Sequence, residues 1–178
     1  MMLLLSKPEV AWKEFAQENN TQQHVFKHYC LPLMITAATL LIVCELIFHS
    51  RAVHVVLVDG IRYFVTLFAS YYIVYYFFGI LMQKKYAITP TKEQLIMMTG
   101  YSFTVIYLLY IVIAIFPSFF FLWIFCLYTL YLVWVAAEDV FHLSPQERGF
   151  MVIGMSALVI VTPFIVKLIL NMLTPNLQ

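Results

Sequence analysis

Five long apolar segments, separated by short polar stretches, dominate the sequence. They cover residues 29–48, 58–82, 95–116, 119–137 and 150–173. A helix needs roughly 20 apolar residues to cross the hydrocarbon core of a bilayer, and each segment is about that long or longer. The pattern therefore predicts an all-α integral membrane protein in which residues 28–178 form a five-transmembrane-helix bundle.

Polar residues and prolines mark the predicted helix starts and turns. Residues 144–147 read Ser-Pro-Gln-Glu, which is typical of a capping box with proline in the first turn. Thr89-Pro90 is expected to start segment three in the same way. Segments three and four are separated by little more than Pro117-Ser118, so we expect them to form an antiparallel hairpin. Pro163 lies inside segment five and predicts a kink there.

Residues 1–27 contain the one substantial polar stretch and predict a short amphipathic helix. Ser6 to Glu9 has the form of a helix start, and Trp12 and Phe15 can share one apolar face. Two interpretations remain open. The helix could lie in the bilayer interface with Trp12 and Phe15 as anchors at headgroup depth, or it could pack on the bundle.

The positions of the basic residues predict the orientation. Lys7, Lys13, Lys27, Lys84, Lys85, Lys92 and Arg148 lie on one side of the predicted membrane, and Arg51, Arg62 and Lys167 lie on the other. Cytoplasmic loops carry an excess of lysine and arginine. We therefore expect the N-terminus, with residues 1–27, in the cytoplasm and the C-terminus outside.

Composition narrows the class of protein further. Apolar residues make up 63% and charged residues 11% of the chain, against roughly 45–50% and 25% in soluble domains. No basic stripe could follow a phosphate backbone, so nucleic acid is not an expected partner. Cys30, Cys44 and Cys126 are scattered and predict free thiols. No catalytic motif or phosphate-binding glycine loop occurs, so we expect a non-enzymatic protein without a cofactor or a bound metal.

Charged residues near the end of segment one and the start of segment two form the first candidate site. Each charge inside a membrane costs on the order of 2.5–3.5 kcal/mol on insertion scales and so requires a reason. Glu45, Asp59 and Arg62, with His49 and His54 beside them, could form a polar vestibule for a proton, an ion or a metal. Glu45 could instead pair with Arg62 and hold a helical hairpin together. An intramembrane enzyme would need Glu45, His49 and His54 to group together.

Charged residues on the predicted cytoplasmic side form two further candidates. Lys84, Lys85 and Lys92 could contact anionic lipid headgroups, at about 1 kcal/mol for each residue. Glu138 and Asp139 end segment four, where acidic side chains oppose the helix dipole. They could contact a partner on the inner face, or they could simply be solvated.

Tyrosines are concentrated in the apolar segments. Such an interior could hold a lipid or a quinone-like ring, or the rings could serve as aromatic packing between helices. The tyrosines concerned are Tyr71, Tyr72, Tyr75, Tyr76, Tyr101, Tyr107, Tyr110, Tyr128 and Tyr131.

Three short patterns together resemble the Yip family (Ypt/Rab-interacting proteins). They are a Lys-Pro-x-x-x-Trp opening (Pro8, Trp12), a Tyr-x-x-Pro entry to segment one (Pro32), and Gly100-Tyr101-Ser102 followed by an apolar run to Pro117 and a Leu-Tyr pattern at 127–132. The resemblance implies five spans with a cytoplasmic N-terminus. It is closest to the short bacterial branch, which implies the bacterial inner membrane; a eukaryotic source would imply a Golgi or endoplasmic reticulum membrane.

The resemblance does not extend to every family property. Eukaryotic members bind Rab-type GTPases, partly through a longer N-terminal region and an Asp-Leu-Tyr-Gly-Pro motif that this sequence lacks. GTPase binding is therefore not expected. We expect a membrane scaffold whose partners are membrane lipids and other membrane proteins or further copies of this chain. The alternative is a small transporter, channel or lipid-handling protein that uses the polar and tyrosine-rich interior.

Overall fold

The computed structural model describes residues 8–17, 25–48, 52–86, 88–141 and 143–174, with the backbone alone for 13–17 and 120. Five of its helices are long and apolar enough to cross a membrane, and the described residues contain no strand. The predicted all-α bundle of five membrane helices is confirmed. The first to fifth spans are Phe26–Phe48, Val53–Tyr86, Lys92–Ile115, Phe121–Asp139 and Pro145–Leu173. A separate helix, Pro8–Gln17, precedes them and is called the N-terminal helix.

The third span lies at the centre of the bundle. It contacts the other four spans, which follow around it in the order first, second, fifth, fourth. It is also the most buried span, because neighbours cover it on several sides. The third and fourth spans pack against each other, so the predicted antiparallel pair is confirmed.

Two capping boxes begin the third and fifth spans. The Ser144 hydroxyl accepts from the backbone N–H of Glu147, and the Glu147 carboxylate accepts from the backbone N–H of Ser144, as predicted. Before the third span the cap is Thr91, whose hydroxyl accepts from the backbone N–H of Gln94. The predicted start at Thr89-Pro90 is thus two residues too early.

The second span extends beyond the apolar segment that predicts it. It has 34 residues, or about 51 Å at 1.5 Å per residue, against a hydrocarbon core of roughly 30 Å. Its extra turns carry His54 at one end and Lys84 and Lys85 at the other. An apolar pattern therefore marks the part of this helix that can lie in hydrocarbon, whereas the hydrogen-bonded helix continues into the polar interfaces.

The fourth span begins as a tighter helix than expected. Pro117–Leu127 has 3₁₀ geometry with a kink at Phe119, and α-helical geometry begins only at Tyr128. Phe121, Ile124 and Leu127 are exposed. Their spacing of three residues places them in one row of a helix with three residues per turn. This row presents large apolar side chains to the exterior.

Two local features concern the regularity of the spans. The α-helix of the third span is interrupted at Phe103, where one segment ends at Ser102 and the next begins at Thr104. The fifth span continues through Pro163, which is buried among its neighbours. Neighbouring helices can accommodate the carbonyl that a proline leaves without an N–H partner.

Candidate functional site

The bundle has two polar ends. At one end the Tyr86 hydroxyl donates to the carbonyl of Glu147 at 3.2 Å and links the second and fifth spans. The N-terminal helix lies at this end, which we call the N-terminal-helix end. At the opposite end, called the Arg62 end, the start of the second span meets the C-terminus of the fifth. Arg62 there donates to the carbonyl of Thr174 at 2.6 Å.

A cavity of about 400 Å³ lies between the first, second and fifth spans at the Arg62 end. We call it the Arg62 cavity. The polar side chains that line it are Glu45, Asp59, Arg62, Tyr63, Thr66, Lys167 and Asn171. The three charged residues of the sequence-based cluster thus lie together around one space, although they come from two helices.

Arg62 holds together two elements at this end. Its guanidinium forms an ion pair with Asp59 at 3.1 Å, three residues earlier on the same helix. The same group donates to Thr174, the residue that caps the fifth span. A cation at a helix C-terminus is favourable because the last carbonyls carry partial negative charge. The observed ion pair of Arg62 is therefore with Asp59, and Glu45 lines the cavity beside it.

One donor of Arg62 is unsatisfied within the described ranges. Its Nε–H is buried and has no hydrogen-bond partner in the part of the chain that the structure describes. A buried donor without a partner costs about 1–3 kcal/mol, and more for a charged group. Because this atom is closed off from the cavity, Arg62 lines the space through other atoms of its side chain.

The histidines do not join this cluster in the described structure. His54 is exposed in the first turn of the second span and does not line the cavity. His49 lies outside the described residues. Within the described ranges, no group of three histidine, cysteine or acidic side chains could hold a metal ion.

Lys167 and Asn171 are the cavity residues that sequence reasoning missed as members of the cluster. They lie four residues apart on the fifth span, so their side chains share one helical face. That spacing could have predicted a polar face on the fifth span. It does not say which other helix the face meets, because the fifth span is separated from the first two by most of the chain.

The N-terminal-helix end contains a second cleft, of about 260 Å³, which we call the acidic cleft. Glu9 of the N-terminal helix and Trp134, Glu138 and Asp139 of the fourth span line it. Glu138 forms an ion pair with Arg148 at 2.6 Å. Arg148 therefore offsets the unfavourable position of an acid at a helix C-terminus. The sequence alone did not predict this pairing.

Trp12 attaches the N-terminal helix to the bundle. Its side chain is 1% exposed, and its ring meets the ring of Tyr101 edge-on with centroids 5.6 Å apart. Pro8 is also buried. Trp12 contacts protein, so of the two roles considered for this helix the structure supports packing on the bundle. The side chain of Phe15 lies outside the described residues.

The family-like motif residues meet in space around the third span. The Tyr101 ring contacts both Trp12 and Tyr29, and Gly100 lies against Cys30. Ser102 is fully buried, whereas Pro32 and Pro117 are exposed at the starts of their helices. The buried motif residues therefore join the N-terminal helix, the first span and the third span, which is a structural role.

The other sequence-predicted residues take simpler positions. Lys84, Lys85 and Lys92 are exposed, as contacts with lipid headgroups would require. The ammonium of Lys85 lies 4.1 Å from the centroid of the Phe150 ring. Such a cation–π contact does not prevent the same ammonium from meeting a phosphate.

The interior tyrosines pack against protein groups. The Tyr63 hydroxyl donates to the carbonyl of Tyr110 at 2.7 Å, and the hydroxyls of Tyr29 and Thr104 lie 2.7 Å apart. The rings of Tyr63 and Tyr110 are also in contact, with centroids 4.8 Å apart. These contacts support the packing role considered for the tyrosines, and Tyr63 also lines the Arg62 cavity.

Comparison with known proteins gives a family but no close relative. No curated protein and no solved structure matches the chain. The family model of the Yip1 domain matches residues 2–167, which is nearly the whole sequence. With five membrane-spanning helices in place, this chain is an integral membrane protein that belongs to the Yip1 domain family.

Proposed function

We propose that this protein is a non-enzymatic membrane scaffold that binds partners at the N-terminal-helix end. The observation that carries the proposal is the docking of the N-terminal helix by Trp12. Docking places the helix beside the end of the fourth span and holds Glu9 at the acidic cleft. The extramembrane elements at this end thereby form one surface of fixed shape.

The exposed side chains of this surface suit a protein partner. Val10, Tyr131 and Trp134 are exposed, and Glu9 and Glu138 lie beside them. Aromatic side chains are enriched at protein interfaces, and acidic side chains favour partners that present lysine or arginine. The partner would be another membrane protein or a second copy of this chain. The positive-inside pattern supports placing this surface in the cytoplasm, and the resemblance to the short bacterial branch supports the bacterial inner membrane.

The alternative function, a transport pathway, has the Arg62 cavity in its favour. A pathway would have to continue from this cavity along the second span. Leu67, Val74 and Phe78 of that span are fully buried in the core. Close packing there supports a cavity that ends inside the bundle, which suits binding better than passage.

Site-directed photo-crosslinking in native membranes tests the scaffold proposal. A photoreactive residue at Val10, exposed on the N-terminal helix, should form a reproducible adduct with one partner or with a second copy. The same residue at Ile124, exposed on the fourth span near the other end, is the matched control. Trp12→Ala should abolish the Val10 adduct, since the helix would no longer be docked. Recovery of only uncrosslinked monomer from the Val10 variant would contradict the proposal.

A further inference from the structure

The Arg62 cavity brings together equal numbers of positive and negative side chains. Arg62 and Lys167 are cationic, and Glu45 and Asp59 are anionic. A ligand with a single charge would be attracted by one pair and repelled by the other. A molecule that carries both charges can satisfy both pairs, so the composition of the cavity suits a zwitterion.

Donors for the anionic part of such a molecule are present. The guanidinium-bearing side chain of Arg62, the ammonium-bearing side chain of Lys167 and the amide-bearing side chain of Asn171 line the same space. The hydroxyls of Tyr63 and Thr66 already donate to the carbonyls of Tyr110 and Arg62. The cationic donors, not the hydroxyls, would therefore bind the anion, and arginine is well suited to phosphate oxygens.

Acceptors for the cationic part come from Glu45 and Asp59. A carboxylate offers about four acceptor positions, so each can accept from a ligand in addition to its contacts within the protein. A primary ammonium has three N–H donors for these positions. A quaternary ammonium has none and could be held only by charge.

The position of the cavity indicates a lipid as the source of the zwitterion. The cavity lies between membrane spans, and Leu41 and Leu170 contribute apolar walls beside the charged groups. Ile61 and Leu168, next to lining residues on the second and fifth spans, are exposed on the apolar exterior. A headgroup in the cavity could thus continue into acyl chains along this surface. The volume of about 400 Å³ is within the range of roughly 300–1,000 Å³ usual for small-molecule sites.

We propose that the Arg62 cavity binds the headgroup of a glycerophospholipid with a primary ammonium, as in ethanolamine phospholipids. The phosphate lies toward Arg62 and Lys167, and the ammonium lies toward Glu45 and Asp59. The site is separate from the partner surface at the other end of the bundle, and it binds one lipid as a fixed component of the structure.

Native mass spectrometry of the purified full chain tests the proposal. The detergent-solubilised protein is titrated with ethanolamine, choline and glycerol phospholipids of identical acyl chains. One ethanolamine lipid should bind with roughly tenfold higher affinity than either competitor, which is the scale of one charge-assisted hydrogen bond. Equal retention of the three lipids would overturn the proposal. Displacement of the ethanolamine lipid by free phosphoethanolamine at an equal concentration would show a soluble ligand instead and would also overturn it.

Variants of the cavity make the test specific to this site. Lys167→Gln and Glu45→Gln each remove one charge. Both variants keep the hydrogen bond from Arg62 to Thr174 at the end of the fifth span, so folding should be retained. Each should reduce binding of the ethanolamine lipid roughly tenfold and lower its preference over the competitors. Glu93→Gln, which removes an exposed charge at the other end of the bundle, is the matched control and should leave this binding unchanged. Unaltered binding in both cavity variants would refute the assignment.

Discussion

Gly100 illustrates how one residue can set the distance between two helices. A Cβ atom at this position would lie 2.9 Å from the Sγ of Cys30 and 3.4 Å from a methyl carbon of Val25. Both neighbours are buried, which leaves them little freedom to move aside. The glycine therefore permits the close approach of the first and third spans where the motif residues meet.

Gly100→Ala should destabilise the protein, because the added methyl group meets the buried thiol. Overpacking costs typically 1–3 kcal/mol, against a gain of up to about 1 kcal/mol in helix propensity. The midpoint of thermal unfolding would report the change. It is measured in detergent, with size-exclusion chromatography as the readout of the folded fraction. Gly79→Ala is the matched control. It has the same propensity gain, but its Cβ would make only ordinary contact with Leu95, at 3.6 Å. Equal midpoints for the two variants would contradict this account.

The N-terminal helix shows how a short element depends on one side chain. Of the side chains described on this helix, Pro8, Ala11 and Trp12 are buried, and Trp12 is much the largest of them. A helix of 10 residues is marginal on its own in water. Its stability must therefore come mostly from packing on the bundle.

Trp12→Ala should release the N-terminal helix while the five spans stay folded. Loss of a buried tryptophan costs roughly 3–5 kcal/mol, which is enough to undock so short a helix. Tryptic cleavage after Lys13 should become at least tenfold faster, since undocking exposes the backbone to protease. Val10→Ala, at an exposed position two residues away, should leave the cleavage rate unchanged. A Trp12→Ala protein cleaved at the wild-type rate would show that other contacts hold the helix.

The helix starts and the helix types were predictable to different degrees. The capping box at 144–147 was predictable because a cap depends on residues adjacent in sequence. The 3₁₀ geometry of Pro117–Leu127 and the break at Phe103 were not predicted. The length of an apolar segment predicts a membrane span, but it does not indicate whether the helix has three or 3.6 residues per turn.

At the scale of the whole molecule, the distribution of basic residues predicts the orientation in the membrane. A reporter fused after Gln178 should be active only outside the cytoplasm, because five spans from a cytoplasmic N-terminus end on the opposite side. A reporter fused after Ile88, between the second and third spans, is the control and should be active in the cytoplasm. A cytoplasmic reporter at Gln178 would reverse the predicted topology and would move the partner surface to the other side.

The candidate sites were predictable only where their members are close in sequence. Asp59 and Arg62 lie three residues apart, so their pairing could be expected from helix geometry. The bond from Arg62 to Thr174 joins positions 112 residues apart. The addition of Lys167 to the same cavity depends on the same long-range contact between the second and fifth spans.

The sequence by itself determined that this protein lies in a membrane, how many spans it has and which capping box begins the fifth span. Apolar length and capping are local properties of a chain. Only the tertiary structure decided that Trp12 is buried, that the third span is central and that four charges share the Arg62 cavity. These features depend on which helix faces meet. The surfaces of these helices are nearly uniformly apolar, so the apolar pattern does not specify which faces meet. The faces that meet are set by how well side chains from distant parts of the chain fit together.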